Sequence, residues 1–121
     1  MITLSLPFPP TTNNLFLQRG RMRILAPAYR KWRTLVEPMV HEQMRGQTPL
    51  KGAYIMHIAL DRPDKRARDV SNYAKALEDS LVNCGVVRDD SDCIRLVLHW
   101  SQRASGKGAM AVVKIEEENE F

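Results

Sequence analysis

The sequence predicts an α/β (α+β) fold: a mixed, largely antiparallel sheet with two main helices packed on it in a single compact domain. Three patterns predict it. Ile2, Leu4 and Leu6 alternate with Thr3 and Ser5, which is the period of a strand with one buried face. Tyr54, Met56, Ile58 and Leu60 repeat that period in mid-chain. Trp32, Leu35, Val36, Met39, Val40 and Met44 recur at helical spacing, as do Val70, Tyr73, Ala74, Leu77, Leu81 and Cys84.

In order along the chain, residues 2–8 form a strand that Pro7, Pro9 and Pro10 bring to an end, and Thr11 to Asn14 carry loop chemistry. Leu15 to Leu25 read as a short hairpin turning at Gly20, with arginines at exposed positions. Pro27 suits the first turn of a helix, Pro38 should kink or divide that helix, and Gly46 stops it. Residues 53–60 form the next strand. A second helix runs from about Asp69 to Asn83 and closes at Gly85. Residues 94–103 and 109–116 are expected to pair as antiparallel neighbours across a turn at Ser105-Gly106-Lys107-Gly108.

At 121 residues the chain has room for one domain, spanning 1–121. Hydrophobic residues make up 44% and charged residues 26%, the balance of an ordinary globular domain, and no apolar run approaches the ~20 residues that would span a bilayer. The opening segment does not read as a signal peptide, and the only cysteines, Cys84 and Cys93, are too few for a disulfide scaffold. A cytoplasmic location is the expectation. The net charge is +4, and its distribution is one-sided: from Met1 through Val36 there are six basic residues (Arg19, Arg21, Arg23, Arg30, Lys31, Arg33) and no acid, whereas Glu116 to Glu118 and Glu120 make the tail acidic. A positive field of this kind suits a phosphate backbone.

The second helix carries the chemistry. Stepping ~100° per residue, Asn72, Lys75 and Asp79 fall on one polar stripe, and Asp69 stands at the helix mouth, where a carboxylate can accept orphan backbone N–H bonds. Arg62, Lys65, Arg66 and Arg68 crowd the loop before it and would draw in a phosphodiester. Downstream, Asp89-Asp90-Ser91-Asp92 concentrates carboxylates, which repel unless solvated or bound to a hard cation such as Mg²⁺. Each feature alone has a plain reading as a cap, a surface i,i+4 pair or a solvated loop. Together they suggest metal-assisted phosphodiester hydrolysis.

The run Arg68-Asp69-Val70-Ser71-Asn72-Tyr73-Ala74-Lys75-Ala76-Leu77-Glu78-Asp79-Ser80-Leu81, followed by Gly85 and then Asp89-Asp90, resembles the signature of the RusA family of Holliday-junction resolvases. Leu6-Pro7-Phe8-Pro9-Pro10 with Asn13-Asn14 resembles that family's opening strand and Pro-Pro loop, so the likeness spans nearly the whole chain. It implies a homodimer that cuts four-way DNA junctions symmetrically with Mg²⁺ or Mn²⁺. It also implies Asp69 and Asp90 as metal-binding carboxylates and Lys75 as the essential lysine, with Asn72 and Asp79 in support. Ser71 stands where the family pattern has a third carboxylate, which leaves three readings open: Ser71 acts through water, Asp89, Asp92 or Asp79 substitutes for it, or activity is reduced. Arg19, Arg21, Arg23, Arg66, Arg68 and Lys75 are the expected DNA contacts. The alternative is a junction-binding module that does not cleave. A restriction-type nuclease core would need an acid-x-Lys pair after Pro63-Asp64, and none follows.

Overall fold

The structure is a computed structural model that describes residues 1–103 and 108–118. The strands are β1 (Ile2–Pro7), β2 (Phe16–Arg19), β3 (Met22–Leu25), β4 (Tyr54–Leu60), β5 (Cys93–Trp100) and β6 (Met110–Glu117), and the helices are α1 (Pro27–Gln43) and α2 (Ala74–Asn83). A four-stranded sheet runs in the order β1-β6-β4-β5, and β2 pairs with β3 in a separate two-stranded ribbon. The predicted fold class is the observed one.

The sheet buries one face. Ile2, Leu4 and Leu6 of β1, the even-numbered residues of β4, and Ala111, Val113 and Ile115 of β6 all point into one core. Tyr29, Trp32, Val36 and Val40 of α1 and Leu77 and Leu81 of α2 close it from above. Leu35, expected in that core, is instead 55% exposed, and Tyr29 takes its place. The helix therefore presents a narrower stripe than its apolar residues suggest. At the sheet's outer edge the Gln43 side chain donates to the Ser5 carbonyl at 2.9 Å and accepts from the Ser5 N–H at 2.7 Å, covering the free edge of β1.

Several expectations are corrected. Pro38 does not divide α1, which continues from Pro27 to Gln43 across it. Pro38 lies on the exposed face, where water can take the carbonyl that its missing N–H leaves free. The second helix does not start at Asp69. Val70–Tyr73 form a 3-10 turn, and the α-helix proper begins at Ala74. Asp69 precedes that turn in extended conformation and makes no side-chain cap.

The last two strands are not hairpin neighbours. β5 pairs parallel to β4, with Met56 opposite Leu96, and β6 lies on the other side of β4, antiparallel to it and to β1. The physical reason is the connection. β4 reaches β5 through α2, a crossover that returns the chain in the same direction, while β6 fills the gap between β4 and β1. Residues 105–107 of the expected turn at Ser105-Gly106-Lys107-Gly108, and Glu120, fall outside the described residues. A buried carboxylate fastens the strand ends at this corner. Asp61 accepts from the Ser101 hydroxyl at 2.5 Å and from the Met110 N–H at 3.0 Å, and forms an ion pair with the Arg103 guanidinium at 3.2 Å.

Candidate active site

α2 places Lys75 and Asp79 one turn apart on its polar side, because Ala74, Leu77 and Leu81 commit the opposite side to the core. The chain then turns at Gly85 (φ +73°), a left-handed conformation that glycine takes without strain, and Val86 and Val87 anchor the return to the core. That return delivers the Asp89–Asp92 loop to the same side of α2. The Lys75 ammonium lies 3.1 Å from Asp79 Oδ1 and 3.4 Å from Asp90 Oδ2, bridging helix and loop. The Asp79 contact, opposed by partial desolvation and reinforced by Asp90, raises the lysine above its usual range, so it is an ammonium throughout the neutral region.

The acids of the loop have distinct commitments. Asp89 turns back on Ser91, accepting from its N–H at 3.1 Å and from its hydroxyl, and these bonds hold its carboxyl below the usual range. Asp92 is taken by Arg88 through two contacts, at 3.0 and 3.2 Å. Asp90 alone faces Lys75. Asp79, Asp89 and Asp90 line one cleft of about 290 Å³, together with Phe16, Tyr29, Arg33, Val82 and Asn83.

The other expected residues lie around this centre. Asp69 is exposed; its backbone carbonyl accepts from the Asn72 N–H at 3.1 Å while its side chain makes no cap, and it opens on a neighbouring depression with Ala67, Arg68, Asn72 and Tyr73, not on the Asp90 cleft. Ser71 is exposed, and the 3-10 turn breaks the single line of Asn72, Lys75 and Asp79 that an uninterrupted α-helix would give. Asn72 is tied to the amino-terminal loop, its carbonyl accepting from the Thr12 hydroxyl at 3.0 Å. Arg68 is partly buried and donates to Asp64 at 2.6 Å and to the Tyr73 hydroxyl at 3.3 Å, so it braces the segment leading to Asp69. Arg66 also contacts Asp64, at 3.3 Å, yet remains 77% exposed. Arg19, Arg21 and Arg23 are exposed on the β2–β3 ribbon, and Arg23 stacks over Phe16 at 3.9 Å. Phe8, Tyr73 and Trp100 form an aromatic group at 4.9 to 6.4 Å between ring centres, with Arg62 4.6 Å above Trp100.

Sequence reasoning missed Tyr29, Arg33 and Glu78. Arg33 counts in the sequence only towards the basic field, although its spacing four residues after Tyr29 puts both on one side of α1. Glu78 sits beside the cluster, and burial raises its carboxyl above the usual range. Cys84 and Cys93, both partly buried, have thiols pushed up by burial and are unreactive by that measure.

The donors are hard carboxylate oxygens, the chemistry that Mg²⁺ or Mn²⁺ prefers. Among the described residues no group of three or more His, Cys, Asp or Glu side chains is placed to hold an ion by itself. A phosphodiester approaching Asp79, Asp89 and Asp90 would otherwise meet repulsion, so the donor set fits a divalent ion shared with substrate.

An acid–lysine cleft in a basic chain has the residue types that a phosphodiester-directed hydrolase uses. Over residues 7–116 the sequence matches the family described as Endodeoxyribonuclease RusA, and the chain belongs to that family. It is also similar to the crossover junction endodeoxyribonuclease RusA of Enterobacteria phage HK97, with 32% identity over 94 residues that cover 76% of this chain and 78% of the phage protein. No helix among the described residues is long and apolar enough to cross a membrane.

Proposed function

We propose that the chain is a metal-dependent endodeoxyribonuclease that resolves four-way DNA junctions by paired phosphodiester hydrolysis in recombination and repair. The observation that carries this reading is the Lys75 ammonium bridging Asp79 and Asp90 at the edge of a cleft, within the segment that matches the family.

In each cut, water adds to phosphorus and the bond to the 3′ oxygen breaks. A 5′ phosphate and a 3′ hydroxyl remain, with one proton of the water passing to the leaving oxygen and the other to solvent. Asp90 would offer Mg²⁺ or Mn²⁺ a carboxylate from the cleft and Asp69 one from the neighbouring depression, with Asp89 or Ser71 as further oxygen donors and water and the substrate phosphate completing the shell. The ion supplies Lewis acidity and makes water a stronger nucleophile. Lys75 offsets charge that builds on the scissile phosphate, and its bonds to Asp79 and Asp90 keep the ammonium at the cleft without relying on substrate. Arg19, Arg21, Arg23 and Arg66 grip the DNA arms through backbone phosphates. Arg68 and Asn72 steady the segment that carries Asp69. One cleft cuts one strand, so symmetric resolution calls for a second copy, and the active species is a homodimer. Its setting is the cytoplasm, where Cys84 and Cys93 stay reduced.

The test is nicking of a synthetic four-way junction in Mg²⁺, compared with Asp69→Asn. Asp69→Asn is expected to abolish cleavage while junction binding survives. Full activity in that variant would overturn the assignment of Asp69. Junction binding by the wild type without nicking in Mg²⁺ or Mn²⁺ would instead favour the non-cleaving reading, in which Ser71 has removed a needed ligand.

A further inference from the structure

We propose that the β2–β3 ribbon carries an apolar wedge, Leu17 and Met22, that receives unstacked bases at the branch point of the DNA. The inference rests on the junction-binding reading above and names the part of the junction that this surface takes.

The ribbon is not part of the main sheet, so both of its faces need an explanation. Its register pairs Phe16 with Leu25, Gln18 with Arg23, Leu17 with Ile24 and Arg19 with Met22. Because side chains alternate, Phe16, Gln18, Arg23 and Leu25 share one face, and Leu17, Arg19, Met22 and Ile24 share the other. The first face is accounted for. Phe16 and Leu25 pack against the core, and Phe16 meets Tyr29 edge-on at 5.9 Å. The second face should then be polar, as in an ordinary solvated hairpin. Instead Leu17 is 47% exposed and Met22 is 66% exposed, with Ile24 partly covered beside them.

The charges around this patch choose its occupant. Arg19 lies on the same face, directly across from Met22, and Arg21 follows Gly20 in the tight turn. Apolar side chains rimmed by guanidinium groups complement a ligand with apolar surface framed by phosphates. Stacked duplex DNA presents no such surface along its backbone, but bases opened at a branch point do, and apolar side chains inserted between base steps hold them apart. The ribbon also borders the cleft, since Phe16 lines it together with Asp79 and Asp90. Phe16 is on the opposite face of the ribbon, so a base held on Leu17 and Met22 would lie across the ribbon from the cleft.

The test compares wild type with L17S/M22S in an Asp69→Asn background, measuring affinity for a four-way junction and for a linear duplex of the same sequence. A second readout is the fluorescence of 2-aminopurine placed at the branch point. Duplex affinity and its salt dependence should be unchanged, because no phosphate contact is removed. Junction affinity should fall about tenfold, the lower range for losing one base-stacking contact, and the 2-aminopurine signal gained on binding should be lost. L17M/M22L should restore both. Wild type that prefers the junction together with a double variant that keeps this preference and the 2-aminopurine signal would overturn the wedge and leave the functional reading intact. Wild type that does not distinguish junction from duplex would overturn the functional reading itself, and the wedge with it. A double variant that sediments as a smaller species would show that the patch faces a second copy of the chain, which also overturns the proposal.

Discussion

Replacing Lys75 with Met separates the chemistry of the cleft from the stability of the fold. The side chain is 43% exposed and makes two ion pairs, at 3.1 Å to Asp79 and 3.4 Å to Asp90. Pairs this open to solvent contribute little, so losing both should cost about 1 kcal/mol at most once screening is allowed for. For a domain of this size that corresponds to a fall of about 4 °C in Tm. The same ammonium, aimed at charge that develops only in the transition state, is worth far more to the reaction. Removing one such group typically costs about 10²- to 10³-fold in rate. The assay is single-turnover nicking of an end-labelled four-way junction with enzyme in excess, run beside calorimetry of the same preparation. The expected result is a cut rate reduced at least a hundredfold with Tm nearly unchanged. Because the neighbouring carboxylates keep Lys75 charged, the reduction should be the same across the neutral pH range. A rate within threefold of wild type would refute the role given to Lys75. A Tm fall beyond about 10 °C would refute the separation of site from fold.

Further outcomes follow from the same geometry. Asp61→Asn should destabilise the protein by about 1–3 kcal/mol in chemical denaturation, since it disturbs a buried acceptor shared by Ser101, Met110 and Arg103. Burial alone would raise the Asp61 carboxyl, but those three partners outweigh it and hold the group below its usual range. Its stabilising contribution is therefore present above the unfolded value of about 4 and is lost as pH falls through the lower folded value; wild type should lose more stability than Asp61→Asn over that acid window. R19A/R21A/R23A should weaken duplex and junction binding together and flatten the plot of log affinity against log salt by up to about 0.9 per lost phosphate contact. An unchanged slope would remove the ribbon from the DNA-binding surface. Arg33→Ala should slow cleavage more than it weakens binding, because Arg33 lines the acidic cleft and not the outer ribbon, and a paired measurement of rate and affinity checks this.

Much of this molecule is written in local pattern. Alternation located β1 and β4, helical spacing located α1 and α2, and proline and glycine marked their ends, because these signals depend only on which side of an element meets the core. The residues of the cleft were legible for a similar reason: Lys75 and Asp79 are one turn apart on the same helix, and Asp90 lies shortly after Gly85, so chain connectivity keeps them close. What sequence could not settle were relations between distant segments. Alternation in β6 says that Ala111, Val113 and Ile115 face inward, yet it does not say which strands lie alongside, and the sheet places β6 between β1 and β4 rather than beside β5. The 3-10 turn at Val70–Tyr73 is likewise a tertiary result, with Tyr73 packed against Phe8 and Trp100 and Asn72 tied to Thr12. That turn sets Asp69 on its own depression and leaves Lys75 to Asp79 and Asp90. Periodicity fixes the inward side of each segment; only packing of the whole chain decides which segments meet, because strand pairing and helix geometry are settled by contacts far apart in sequence.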